Sequence, residues 1–220
     1  MRRDRRCVFG LCALLLLGCG REPARSPLSR LEASSAAQAW LEELKTLFPL
    51  EDASFQLTGT DPLRAEAEPW LRLWDEQASG EDIEALKSLA ERSPDGSRAV
   101  SLFYENVYRT DAGWEPGGNP DSYIALLPLD TWVGTALFMC GTPCRFHAAG
   151  WAGADSVVVV GMYENPPEVW HLEAGLLDLD ARRVHWYRGP EVPASMRSEV
   201  EKKWLAWLRK RYPLVSWAGH

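Results

Sequence analysis

The spacing of apolar residues changes character several times along the chain, and each change predicts an element. Residues 7–17 form an unbroken apolar run behind Arg2, Arg3, Arg5 and Arg6. The run is too short to span a bilayer as a helix and predicts the core of an export signal. Residues 20–29 hold Pro23 and Pro27 with no apolar period and predict a tether. From Ser35, read as an N-cap with Gln38 completing a capping box, Ala37, Trp40, Leu41, Leu44, Leu47 and Phe48 recur at helical spacing until Pro49. Asp61-Pro62 reads as a cap followed by proline in the first helical turn, predicting a helix over 63–77 with a kink at Pro69. Ser79-Gly80-Glu81-Asp82 opens another helix, with Ile83, Leu86, Leu89 and Ala90 on its buried face.

At Ser93-Pro94-Asp95-Gly96 the period switches from helical to two. Strands are predicted over 98–108, 122–129 and 135–140, and in a second block over 157–163, 169–179 and 183–188. The last two are joined by the tight Asp180-Ala181-Arg182 connection of antiparallel neighbours. Met196, Val200, Trp204, Trp207, Leu208 and Arg211 then share one side of a helix over 195–212, closed by Pro213. The expected fold class is α+β: N-terminal helices (34–92), an antiparallel β-meander of two blade-like units (93–189), and a C-terminal helix and tail (190–220), all in one domain over 34–220.

The two β blocks are alike in sequence. Ser101-Leu102-Phe103-Tyr104-Glu105-Asn106 aligns with Val160-Gly161-Met162-Tyr163-Glu164-Asn165, and Leu126-Leu127-Pro128-Leu129-Asp130 with Leu176-Leu177-Asp178-Leu179-Asp180. The turn at 93–96 followed by 122–130 resembles a blade of the periplasmic Tol-type β-propellers. Two units do not close a propeller, which takes about four blades or more. Duplication and ordinary period-two patterning both account for the likeness.

At the end of the leader stands Leu15-Leu16-Leu17-Gly18-Cys19, and here the chain resembles bacterial lipoproteins, whose lipobox sets small or apolar residues before a cysteine. The resemblance covers the leader alone. It implies a signal peptide over 1–18, cleavage after Gly18, lipidation of Cys19 and a lipidated tether over 19–33. Gly20 after the cysteine, in place of Asp, implies an outer-membrane destination on the periplasmic side. Several acyl chains, each buried CH₂ contributing about 0.8 kcal/mol, would hold such a protein at a lipid surface.

Loss of residues 1–18 changes the charge. The chain has 24 Lys and Arg against 31 Asp and Glu, net −7. Removing four Arg and Asp4 leaves 20 against 30, net −10. That balance argues against a nucleic-acid partner, which needs clustered basic side chains. The crowding of Lys202, Lys203, Arg209, Lys210 and Arg211 on the last helix reads as a solvated face complementing the helix dipole.

Of five cysteines, Cys7, Cys12 and Cys19 belong to leader and lipid site, leaving Cys140 and Cys144. In an oxidising compartment these two most simply form a disulfide. With His147 they also make a candidate soft-metal set for copper or zinc, since thiolates and imidazole suit those ions. His171 and His185 flank one tight connection and would meet if their strands placed them opposite each other. Glu105 and Glu164, at matching positions of the two blocks, form a candidate acid–base pair. Serine-nucleophile chemistry has no motif behind it. Trp114, in the Gly- and Pro-rich stretch 113–120, is the candidate partner contact. The functional expectation is a membrane-anchored envelope lipoprotein without catalysis or cofactor, binding an envelope protein. A metal-handling lipoprotein on Cys140, Cys144 and His147, and an envelope hydrolase, are the alternatives.

Overall fold

The computed structural model describes residues 26–51, 54–64, 79–103, 107–117, 121–142 and 144–218. Strands take 42% and helices 26% of them, so the protein is mostly β, built on three sheets. This overturns the expected α+β order. The elements run α1 (Pro27–Leu31), α2 (Ser35–Lys45), β1 (Gln56–Pro62), α3 (Gly80–Ser88), β2 (Glu91–Arg92), β3 (Arg98–Ser101), β4 (Val107–Thr110), β5 (Gly113–Pro116) and β6 (Ser122–Pro128). They continue with β7 (Thr135–Cys140), β8 (Cys144–Trp151), β9 (Ser156–Glu164), β10 (Trp170–Asp178), β11 (Arg183–Val192) and α4 (Ala194–Arg211).

The first third is not the all-helical segment its punctuation suggests. Asp61 and Pro62 end strand β1, pairing with Val184 and Arg183 of β11. Proline fits there because β1 is a sheet edge, where an N–H facing away from the neighbour is dispensable. The Asp61 carboxylate, expected to cap a helix, instead accepts from the Trp186 indole N–H at 2.9 Å. The helix expected over 63–77 falls mostly on 65–78, outside the described residues.

Helix starts follow local chemistry more closely. Ser79 and Asp82 close a reciprocal capping box on α3. The cap of α2 is Ser34 rather than Ser35: its hydroxyl oxygen accepts from the Ala37 N–H. Helix α1 lies within the stretch read as tether, yet its Leu28 and Leu31 are buried in the core.

Nor is 93–189 one meander. Its two blocks enter separate antiparallel sheets, one of order β2-β3-β6-β7 and one of order β1-β11-β10-β9-β8, while β4 and β5 form a hairpin of their own. The propeller likeness therefore ends at strand sequence. The five-stranded sheet is the middle layer. One face carries Val158, opposite Gly150, which lies so close under Ser34 that a Cβ would collide with its hydroxyl. Helices α1, α2 and α4 cover this face, and Trp40, Trp204 and Trp207 are buried there. The other face carries Val159 and Trp186 and packs on Phe138 of the four-stranded sheet, whose ring centre is 4.8 Å from that of Trp186. Trp151 ties the sheets together by donating to the Glu91 carbonyl at 2.7 Å.

Candidate functional site

Strand parity decides what the residues around the disulfide do. On β8, Cys144 and Phe146 point to the sheet–sheet side, while Arg145 and His147 point to α4. Arg145 donates to Glu201 at 2.8 Å, and the His147 ring lies between Trp40 and Trp204, with ring centres 5.4 and 5.2 Å away. Cys140 and Cys144 form a disulfide with Cα atoms 5.8 Å apart. His147 is thus held on the face opposite the sulfurs. Among the described residues no group of three His, Cys, Asp or Glu side chains is placed to hold a metal ion.

His147 is fully buried, and neither ring nitrogen has a hydrogen-bond partner; the nearest Glu201 oxygen is 3.8 Å from Nε2. Burial holds the imidazole below its ordinary pKa, outweighing the pull of the Glu201 carboxylate. Burial pushes Glu201 the other way, toward protonation, but the His147 and Arg145 contacts prevail and hold it down at about 2. A cavity of about 220 Å³ adjoins this group. Its cations are already engaged: Arg145 on Glu201, and Arg197 over the Trp170 ring at 4.2 Å.

The opposite side of the five-stranded sheet is different. Where the two sheets diverge, a cleft of about 420 Å³ opens between β1, β7, β8 and the middle strands β9, β10 and β11. Phe138, Phe146 and Trp186 form its aromatic wall; Phe146 and Trp186 lie parallel, with centres 6.0 Å apart. The disulfide sulfurs belong to residues at one end, and Thr58, Tyr163 and Asn165 stand on the lining. Gly175 makes room for the wall, because a Cβ there would lie 2.6 Å from Trp186 Cζ3. Glu173 and Arg188, register partners on β10 and β11, put opposite charges in the cleft. Glu173 Oε2 and Arg188 Nε are 3.9 Å apart, too far for a hydrogen bond, and both atoms are buried without a partner. Burial pushes the Glu173 carboxyl up to about 7 against the opposing pull of Arg188.

Most other candidates from the sequence are dispersed. Trp114 is buried, not a free contact: its N–H donates to the Ser216 carbonyl at 2.7 Å, and its carbonyl accepts from the Ala218 N–H at 2.9 Å. The chain's own C-terminal segment covers it. His171 pairs with Glu191 and His185 with Leu176, so the two histidines sit at distant register positions. Glu164 accepts from the Glu168 N–H within its own turn, and Glu105 lies outside the described residues, as do Cys7, Cys12 and Cys19. The sequence did not mark the cleft residues Asp61, Glu173, Trp186 and Arg188 as site residues, Asp61 reading as a helix cap. One signal was present: Glu173 lies on the face of β10 that carries the buried Gly175 and Leu177, a carboxyl beside inward-packed residues.

Aromatic side chains with a few convergent polar groups are the usual lining of small-ligand sites. No protein-family model, curated protein or solved structure matches the chain.

Proposed function

We propose that this chain is a lipid-anchored protein of the bacterial envelope whose folded body is a binding module, with the cleft between the sheets as its binding site. The observation that carries the binding role is the Glu173–Arg188 pair, a buried donor and acceptor left unmatched beside the aromatic wall of the cleft. Desolvating such atoms without partners costs about 1–3 kcal/mol each, and a ligand that satisfies them recovers that cost. The anchoring role rests on the basic leader, the short apolar run and Leu17-Gly18-Cys19. On this reading, with Gly20 after the cysteine, the module sits at the outer membrane, facing the periplasm, with an envelope component as its partner.

Two measurements test the two halves. Labelled palmitate is incorporated by the native chain and lost, together with membrane fractionation, in Cys19→Ala; retained label refutes the anchor. A photo-crosslinking side chain at Asn165, on the cleft lining, forms an adduct in intact cells, whereas one at the exposed Lys202 on α4 does not. Absence of any Asn165 adduct refutes the cleft as the binding site.

A further inference from the structure

We infer that the cleft takes a neutral, hydroxyl-rich ligand, a saccharide, with one hydroxyl seated between Glu173 and Arg188 and a ring face against Phe138, Phe146 and Trp186. The inference rests on the cleft being the binding site and names its ligand class. Glu173 Oε2 and Arg188 Nε are 3.9 Å apart. A single oxygen placed at hydrogen-bond length from both subtends roughly 90° between them, a geometry a hydroxyl adopts readily.

The chemistry of the pair selects that group. When Glu173 is ionised its carboxylate only accepts and the Arg188 guanidinium only donates, so an atom bridging them must donate to one and accept from the other. A hydroxyl oxygen does both. An ammonium has no lone pair to offer Arg188, and a ligand carboxylate has no proton for Glu173.

Charge and surface agree. Arg188 offsets one of the two carboxyl groups in the cleft, Glu173 and Asp61, the latter held by the Trp186 indole N–H at 2.9 Å, so no excess of positive charge favours an anion. A pyranose presents hydroxyls at its rim and polarised C–H bonds on its faces, and those C–H bonds suit the negative face of an aromatic ring. The volume of about 420 Å³ lies in the usual range for small-ligand sites, roughly 300–1,000 Å³.

The test is calorimetric titration of the full-length lipidated protein, in a detergent without a sugar headgroup, with cellotriose, maltotriose and triacetylchitotriose. At least one trisaccharide binds. Glu173→Gln and Arg188→Met each weaken it about tenfold, as expected for loss of a charge-assisted hydrogen bond. The double variant loses much less than a hundredfold, because one hydroxyl serves both residues. Unchanged near-ultraviolet circular dichroism certifies the fold of each variant. No binding by any of the three sugars, or equal binding by wild type and both single variants, overturns the inference. If an Asn165 adduct forms in cells while no sugar binds, the saccharide falls and the cleft reading stands; if neither is seen, both fall.

Discussion

Glu173 and Arg188 are direct register partners on adjacent strands, yet their side chains stop 3.9 Å apart, with the Glu173 side chain 12% exposed and that of Arg188 32%. The ion pair is therefore too loose to offset the burial of the carboxyl, whose pKa rises to about 7. Between its ordinary value of 4.5 and 7, the folded state keeps a proton that the unfolded state releases. Stability consequently falls as pH rises through that window, by at most about 3 kcal/mol and by less where water reaches the cleft. Glu173→Gln should gain about 1–2 kcal/mol over wild type at pH 8 and almost nothing at pH 4.5, measured by urea unfolding. An equal difference at both pH values would contradict the assignment.

His147 carries the opposite sign. Its folded pKa lies below the unfolded value of 6.5, so the unfolded state takes up the proton first, and stability is lost as pH falls below about 6.5. Nuclear magnetic resonance should show its ring titrating below the ordinary 6.5. His147→Leu should move the acid-unfolding midpoint to lower pH than wild type. A ring that titrates normally near 6.5 would show that the α4 layer does not seal it.

Gly161 faces backbone rather than side chain. A Cβ there would run into the Arg145 carbonyl oxygen and lie 2.9 Å from Phe146 Cα, at the irregularity where β8 crosses β9. Backbone cannot step aside as a flexible side chain does, so Gly161→Ala should cost about 3 kcal/mol or more, the upper end for overpacking. Gly59→Ala, with open space at its Cβ, is the matched control and should cost under about 1 kcal/mol. Urea midpoints decide between them.

The disulfide closes a loop of only five residues from Cys140 to Cys144. On the chain-entropy relation such a loop contributes roughly 2 kcal/mol. Non-reducing peptide mapping should recover the pair quantitatively linked. The Cys140→Ser, Cys144→Ser double variant should remain folded with its unfolding free energy lowered by about that amount. Complete loss of folding would mean that the bridge holds the two sheets together rather than one turn.

Local chemistry was legible wherever it is self-contained. The Ser79–Asp82 capping box, the turn at 93–96 and the strands of β9, β10 and β11 each depend on residues a few positions apart, and the sequence shows them. The turn shows how: Asp95 accepts from the Ser93 hydroxyl and from the Ser97 N–H and hydroxyl, which hold its carboxyl down at about 2. Strand β8 went unread because Cys144-Arg-Phe-His-Ala-Ala-Gly-Trp has almost no β-branched residue. The small Ala148 and Gly150 answer to helices packed across the sheet, a demand that pattern along the chain does not express.

The sequence alone determined the order of apolar runs, the closeness of two cysteines and the acidic charge, and it carries the expectation of a leader over 1–18. These follow from period, proximity and composition, which act over short stretches of chain. Only the tertiary structure decided that Asp61-Pro62 lies in an edge strand, that His147 turns away from the disulfide, that the C-terminal segment buries Trp114, and that Glu173 meets Arg188 in an aromatic cleft. Each depends on which strands lie side by side and which face of the middle sheet is turned to the helices. Packing between distant segments sets both, and a shift of one residue in a strand would send every side chain to the other face.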